Sequence, residues 1–184
     1  MTTTTSTASV ALSLRKLYFV RFGFAVVWAL AIFAVGSSLS PLAATLLVLY
    51  PLFDVAAAIV DLRSTRTAGS SVALLYANMA LSLAAAVGLA IAATSGTPAV
   101  LTVWGAWSVT AGVVQLIVGI RRRALGGQWI MIISGVLSVL VGGAFIAMAA
   151  GAPASVASLG GYATLGGVFF LISALRLNRA AKGL

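Results

Sequence analysis

Apolar residues in this chain fall into six long runs, at about 17–36, 42–60, 72–93, 99–120, 129–150 and 155–175, parted by short polar gaps. At 1.5 Å per residue, runs of about 19 to 22 residues cross a hydrocarbon core of about 30 Å as α-helices. A membrane strand needs only about ten residues and alternates polar with apolar positions, which none of these runs does. The pattern predicts an all-α, polytopic membrane protein with six transmembrane helices.

The gaps are of two kinds. Those near 37–41, 94–98 and 151–154 are short, uncharged and rich in Gly, Ser and Pro, which predicts tight turns between antiparallel helices. The alternate gaps and the two ends hold the charge. Arg15, Lys16 and Arg21 form one basic cluster, Arg63 and Arg66 a second, Arg121, Arg122 and Arg123 a third, and Arg176, Arg179 and Lys182 a fourth. Because Lys and Arg close to segment ends are retained on the cytoplasmic side, both termini and every basic gap are expected inside, in the cytoplasmic (inner) membrane. Residues 1–14, rich in Thr and Ser and without charge, are expected to be a disordered cytoplasmic tail, and 180–184 a second one. A cleaved signal peptide is the rival reading of the first run, and the repeat described next argues against it.

Shifting the chain against itself by 57 and then 55 residues exposes an internal repeat. Gly23, Ala80 and Gly135 coincide in the first helix of each pair, Pro41, Pro98 and Pro153 at the outer turn, and Tyr50, Trp107 and Tyr162 in the returning helix. Gly105 and Gly112 of the second copy coincide with Gly160 and Gly167 of the third, whereas the first copy has Val55 in the second of these columns. The single membrane domain, 15–179, is thus three parallel-repeated helical hairpins, at about 15–66, 67–123 and 124–179, in a pseudo-threefold arrangement. Lipid removes the hydrophobic drive between helices, so small residues spaced by four are expected at their contacts. Such stripes are Ala80, Ala84, Gly88 and Ala92 in the third helix, Ser134, Ser138 and Gly142 in the fifth, and Ala163 with Gly167 in the sixth.

Composition narrows the chemistry. Apolar residues make up 62% of the chain and charged ones 7%, against about 25% charged in soluble domains. The net charge of +9 sits at segment ends rather than along one polar face, so it fits orientation and anionic lipid, with Arg121, Arg122 and Arg123 as candidate head-group contacts, and not nucleic acid. The chain has no Cys, no His and no Glu. Thiolate, His-based and paired-carboxylate catalysis and most metal-ligand sets are thereby excluded; no enzyme activity and no cofactor is expected.

In its turn prolines, in the stretch at 160–168 (GGYATLGGV), and in the Arg176-Leu177-Asn178-Arg179 exit, the chain resembles the HdeD family of acid-resistance membrane proteins. The resemblance spans about 15–179. It implies a repeated-hairpin fold and an inner-membrane protein tied to acid or general envelope stress, and it carries over no catalytic residues. A sensor facing an acidified exterior needs a group that titrates there, usually His or a carboxylate, and the expected outer face has neither. Any response must run through Asp54, a partner protein or expression level.

Asp54 and Asp61 are the only acids. Seven residues apart, they share one face of the second helix, and Asp61, close to Arg63, reads as an interfacial charge. Asp54 lies about 12 Å inside the core, where an unpaired aspartate costs about 2.5 to 3.5 kcal/mol. Arg21, at a similar depth, is its candidate partner; Asn78, the repeat equivalent of Arg21, and Gln115 join them in a candidate polar layer. Pro51, one turn above Asp54, lacks a backbone donor and frees the carbonyl of Leu47. Among the aromatics, Tyr18, Tyr76, Trp104 and Trp129 are expected at the membrane interfaces, and the Tyr50, Trp107 and Tyr162 column in core packing.

Three functions fit these residues: a non-enzymatic stress-associated membrane protein, a transporter or channel for protons or a small solute built on Asp54, Arg21, Asn78 and Gln115, and a scaffold or subunit that meets anionic lipid, a partner helix or a second copy. The orientation common to all three is open to a direct test, because the chain has no cysteine of its own. In intact cells a single cysteine in the 94–98 turn should react with an impermeant thiol reagent and one at position 122 should not; the reverse pattern would invert the topology.

Overall fold

The computed structural model describes residues 2–66, 72–121, 129–151 and 155–181. These form six helices, α1 (Thr2–Val35), α2 (Pro41–Arg66), α3 (Val72–Ser95), α4 (Thr97–Arg121), α5 (Trp129–Ala149) and α6 (Ser158–Ala181). Each contains a stretch long and apolar enough to cross a membrane, and the chain is a six-span helical membrane protein. The backbone of 2–14, expected to be disordered, is helical and continues α1. Propagating an existing helix costs far less than nucleating one, so the Ala8–Leu14 portion extends the membrane span that follows it. Likewise α6 runs on to Ala181, past the expected start of the second tail. Pro153, Arg122, Arg123 and Lys182 lie outside the described residues.

Two of the uncharged turns have legible chemistry. Ser40 accepts a hydrogen bond at its hydroxyl from the Ala43 amide at 3.2 Å, capping α2, and Pro41 takes the first helical position, where a missing N–H costs nothing. Between α3 and α4 the chain reverses at Gly96, whose φ of 101° is open to glycine at little cost. Threonine hydroxyls near these turns are satisfied locally. Thr45 donates to the Pro41 carbonyl and Thr102 to the Pro98 carbonyl, both at 2.9 Å, a bond repeated at the +57 shift.

Helices next to each other in sequence pack together, and α6 returns against α1 to close a ring. The most intimate pairs are not those within hairpins, as short turns suggest, but those between them: α4 with α5, α6 with α1, and α2 with α3. Glycine placement is the reason for the first two of these. The turn dictates only where two helices begin, whereas glycines dictate how near two backbones come, and Gly105 and Gly112 of α4 face the following hairpin. A methyl at Gly105 would stand 2.5 Å from the Gly142 carbonyl oxygen, and one at Gly112 would stand 2.8 Å from that of Gly135. Their repeat equivalents serve α6 against α1, where a methyl at Gly160 would press on the Phe33 ring at 2.9 Å and one at Gly167 on the Ala25 methyl at 3.3 Å.

The small-residue stripes divide accordingly. Ser138 and Gly142 in α5, and Ala163 and Gly167 in α6, lie in helix contacts as expected. In α3 the expected stripe divides: Ala80 and Ala84 face outward, Gly88 packs against Val103 of α4 and Ala92 is buried, and Ser82, Ala85, Ala86 and Leu89 complete the buried face. A spacing of four recurs on several faces of an alanine-rich helix, and the face that turns inward is chosen by Ser82 and Leu89. Gly23 and Gly143 also look out into open space.

The adjacent glycines Gly142 and Gly143 isolate the packing term. Gly142→Ala should cost about 1–3 kcal/mol through overpacking against α4, while Gly143→Ala should leave stability unchanged or raise it by up to about 1 kcal/mol. Thermal unfolding of the two variants in one detergent measures the difference.

Candidate functional site

The centre of the ring is not filled. A cavity of about 190 Å³ runs along the pseudo-threefold axis, walled chiefly by the returning helices α2, α4 and α6. The +57 and +55 shifts organise that wall into layers. Tyr50, Trp107 and Tyr162 form the first; Asp54, Ala111 and Gly166 the second; Ala58, Gln115 and Phe170 the third; Asp61, Val118 and Ser173 the last. All twelve line the cavity. Spacings of four, four and three keep each set on one helical face, so three copies of a stripe enclose one space. The space exists because the second layer is nearly empty of side chain in two of its three places. A Cβ at Gly166 would meet nothing within 4 Å.

The cavity is open towards the basic end of the bundle, where Tyr18, Asp61 and Ser173 line it. The other end is closed by aromatic rings. Trp28 stacks on Trp104 at 5.3 Å between centroids, Tyr50 meets Trp28 edge-on at 4.7 Å, and Trp104 meets Trp107 edge-on at 5.4 Å. Behind them Ile32, Leu47, Leu101 and Leu159 have no exposed surface. The Tyr50, Trp107 and Tyr162 column is therefore both packed and functional in position, forming the blind end. Trp104, expected at an interface, is completely buried in this seal. Its depth along α4 suits either place, but it faces the ring interior and packs against Trp28 and Tyr50.

Asp54 projects from α2 into the cavity and gathers three donors. Arg21 of α1 forms an ion pair with its Oδ1, Asn78 of α3 donates to its Oδ2 at 2.7 Å, and Ser82 donates to the same oxygen at 2.8 Å. Trp107 extends the network by donating its indole N–H to the Ser82 hydroxyl at 3.1 Å. Four helices thus converge on one carboxylate. The Arg21 guanidinium also lies over the Phe170 ring at 4.9 Å, a cation–π contact that brings in α6. The two charged side chains are 18% and 20% exposed, which leaves them accessible from the cavity rather than sealed in protein.

Of the four residues of the expected polar layer, Arg21, Asp54 and Asn78 are joined by hydrogen bonds. Gln115 lines the same cavity, but its amide donates at 3.3 Å to the Met131 carbonyl of α5 instead. It stands on the equivalent face of α4, one layer nearer the mouth than Asp54. Pro51 is buried within α2, which runs through it. Arg121 is exposed at the end of α4, whereas its two candidate companions in lipid contact fall outside the described residues.

Sequence reasoning missed Ser82, Ser108 and the pair Ser138–Tyr162, in which the tyrosine hydroxyl and the serine hydroxyl lie 3.0 Å apart. Ser82 had a signal, since it stands one turn after Asn78 on the same face. The empty second layer had one too, because carrying Asp54 through the two shifts arrives at Ala111 and Gly166. Ser108 had none; an isolated serine in an apolar helix marks no direction.

Compared with known proteins, this chain matches no protein-family model, no characterised protein and no solved structure.

The convergence on Asp54 makes its energetics separable. Asp54→Asn and Arg21→Gln should each lower thermal stability by about 3–5 kcal/mol at most, the cost of stranding one member of an enclosed pair. The double variant should lose less than the two together, by about 0.5–3 kcal/mol. Melting temperatures of the four proteins in one detergent close the cycle, and strictly additive losses would mean no coupling.

Proposed function

We propose that this protein is a non-enzymatic transporter or channel component of the cytoplasmic membrane that admits protons or a small solute from the cytoplasmic side into the axial vestibule. The observation that carries the reading is the vestibule itself. Closely packed membrane bundles have no energetic reason to keep a space of about 190 Å³ on their axis with an ion pair on its wall, and polar residues facing such a space mark substrate and ion paths. The orientation rests on the basic margin around its mouth.

The aromatic and aliphatic seal fits one end of an alternating or gated path, since a dry constriction blocks both water and ions. Passage would require the rings of Trp28, Tyr50 and Trp104 to part. The role implied by resemblance to the HdeD family, in acid or general envelope stress, is compatible with this activity and would decide when it is used rather than what passes. No carboxylate or histidine lies in the uncharged turns, so an acid-linked response would act from within, at Asp54.

Reconstitution into liposomes tests the proposal. Vesicles containing the natural chain should dissipate a proton gradient or pass a small solute at least several-fold faster than empty vesicles, and Gly166→Leu, whose Cβ would meet nothing within 4 Å and whose side chain would occupy the vestibule, should return the rate to background. Equal rates for the natural chain and empty vesicles across protons, alkali cations and small polar solutes would overturn it.

A further inference from the structure

The blind half of the vestibule shows which chemistry it can receive. We infer that the vestibule selects small uncharged solutes bearing both a hydrogen-bond donor and an acceptor, of the size and kind of a simple amide, a urea or a short polyol. This rests on the reading of the cavity as a solute site and goes on to name the class of solute.

Charge is the first criterion. The ionised groups deep in the cavity, Arg21 and Asp54, are paired with each other, and Asp54 is further held by Asn78 and Ser82. A cation would have to compete with a bound guanidinium and an anion with a bound carboxylate. Either exchange strands a charge in a low-dielectric space. An uncharged guest leaves the pair intact.

Unused hydrogen-bonding capacity is the second. Ser108 stands at the blind end of the cavity beside Tyr162, with its hydroxyl covered. Two turns towards the mouth, Gln115 has a carbonyl oxygen and a second N–H beyond the bond to Met131, so it offers a guest both an acceptor and a donor. The two side chains stand seven residues apart on α4, about 10 Å along its axis, so substitutions at them sample the blind end and the mouth separately. The Tyr50, Trp107 and Tyr162 rings supply the third criterion, an apolar ceiling against which a compact or planar molecule packs without needing charge.

The absence of native cysteine makes the inference directly testable in the full chain in lipid. Ser108→Cys places a lone thiol in the blind half, and Gln115→Cys places one nearer the mouth should the first variant assemble poorly. Each is treated with three methanethiosulfonates of similar size, one neutral, one cationic and one anionic, with every rate divided by that reagent's rate on free cysteine. The neutral reagent should modify the thiol at least tenfold faster than either charged one. Adding Gly166→Leu should slow it at least tenfold, which shows that it arrives through the vestibule and not through the lipid, and excess acetamide should slow it several-fold. Equal normalised rates for neutral and charged reagents would overturn the selectivity while leaving a solute path in place. Labelling indifferent to Gly166→Leu and to acetamide, or no labelling at either position, would overturn the solute site along with it.

Discussion

Helices in lipid gain nothing from hiding apolar surface from one another, and this one constraint shapes most of the molecule. Where backbones must touch to gain dispersion energy, side chains have to vanish, and α4 and α5 come together where Gly105, Gly112, Gly135 and Gly142 allow it. The returning helices α4 and α6 are thereby drawn to the next hairpin more than to their own partners. A ring drawn together at its seams has no corresponding force pulling it in at its axis. The vestibule follows from that geometry once the second layer holds Asp54, Ala111 and Gly166 rather than three bulky residues.

The seam between α2 and α3 departs from the other two. It has Val48 and Val55 where the later copies have glycines, so backbone contact of the α4–α5 kind is denied to it. Polar bonds span it instead, from Asn78 and Ser82 of α3 to Asp54 of α2. The only deep carboxylate of the protein is therefore found at the seam that lacks glycines. A hydrogen bond to an ionised group contributes more than a neutral one, about 1.5–3 kcal/mol, and three of them offset the cost of placing an aspartate in the bilayer. Divergence of the first repeat is thus more than drift: it exchanges a packing contact for an electrostatic one and gives the vestibule its only polar flank of that strength.

Symmetry also explains why the two ends of the axis differ. Near the uncharged end the interior positions are Trp28, Trp104, Ile32, Leu47, Leu101 and Leu159, large enough to meet and exclude water. Towards the basic end several of them shrink or become polar, as at Ala111, Gly166, Ala58 and Gln115, and they no longer fill the axis. A gradient of side-chain volume along three equivalent stripes turns a bundle into a one-ended vessel without any irregular backbone at membrane depth, which lipid would penalise heavily.

Much of this was legible in the residues alone, for reasons of scale. Six apolar runs, alternate basic gaps and the 57 and 55 residue shifts specify six spans, their parallel repetition and the depth of every polar group, because hydropathy, helix rise and charge retention act on the chain locally. The pairing of Arg21 with Asp54 was legible too, since two opposite charges at one depth in hydrocarbon have few other ways to be satisfied. Rotation about the helix axis was not. Whether Trp104 faces lipid or seals a cavity, whether Ala84 or Ala85 turns inward, and whether Gln115 reaches Asp54 or Met131 depend on the angle each helix adopts against two neighbours at once. That angle is set by the glycine contacts of the assembled ring, a sum over distant residues that no local pattern contains.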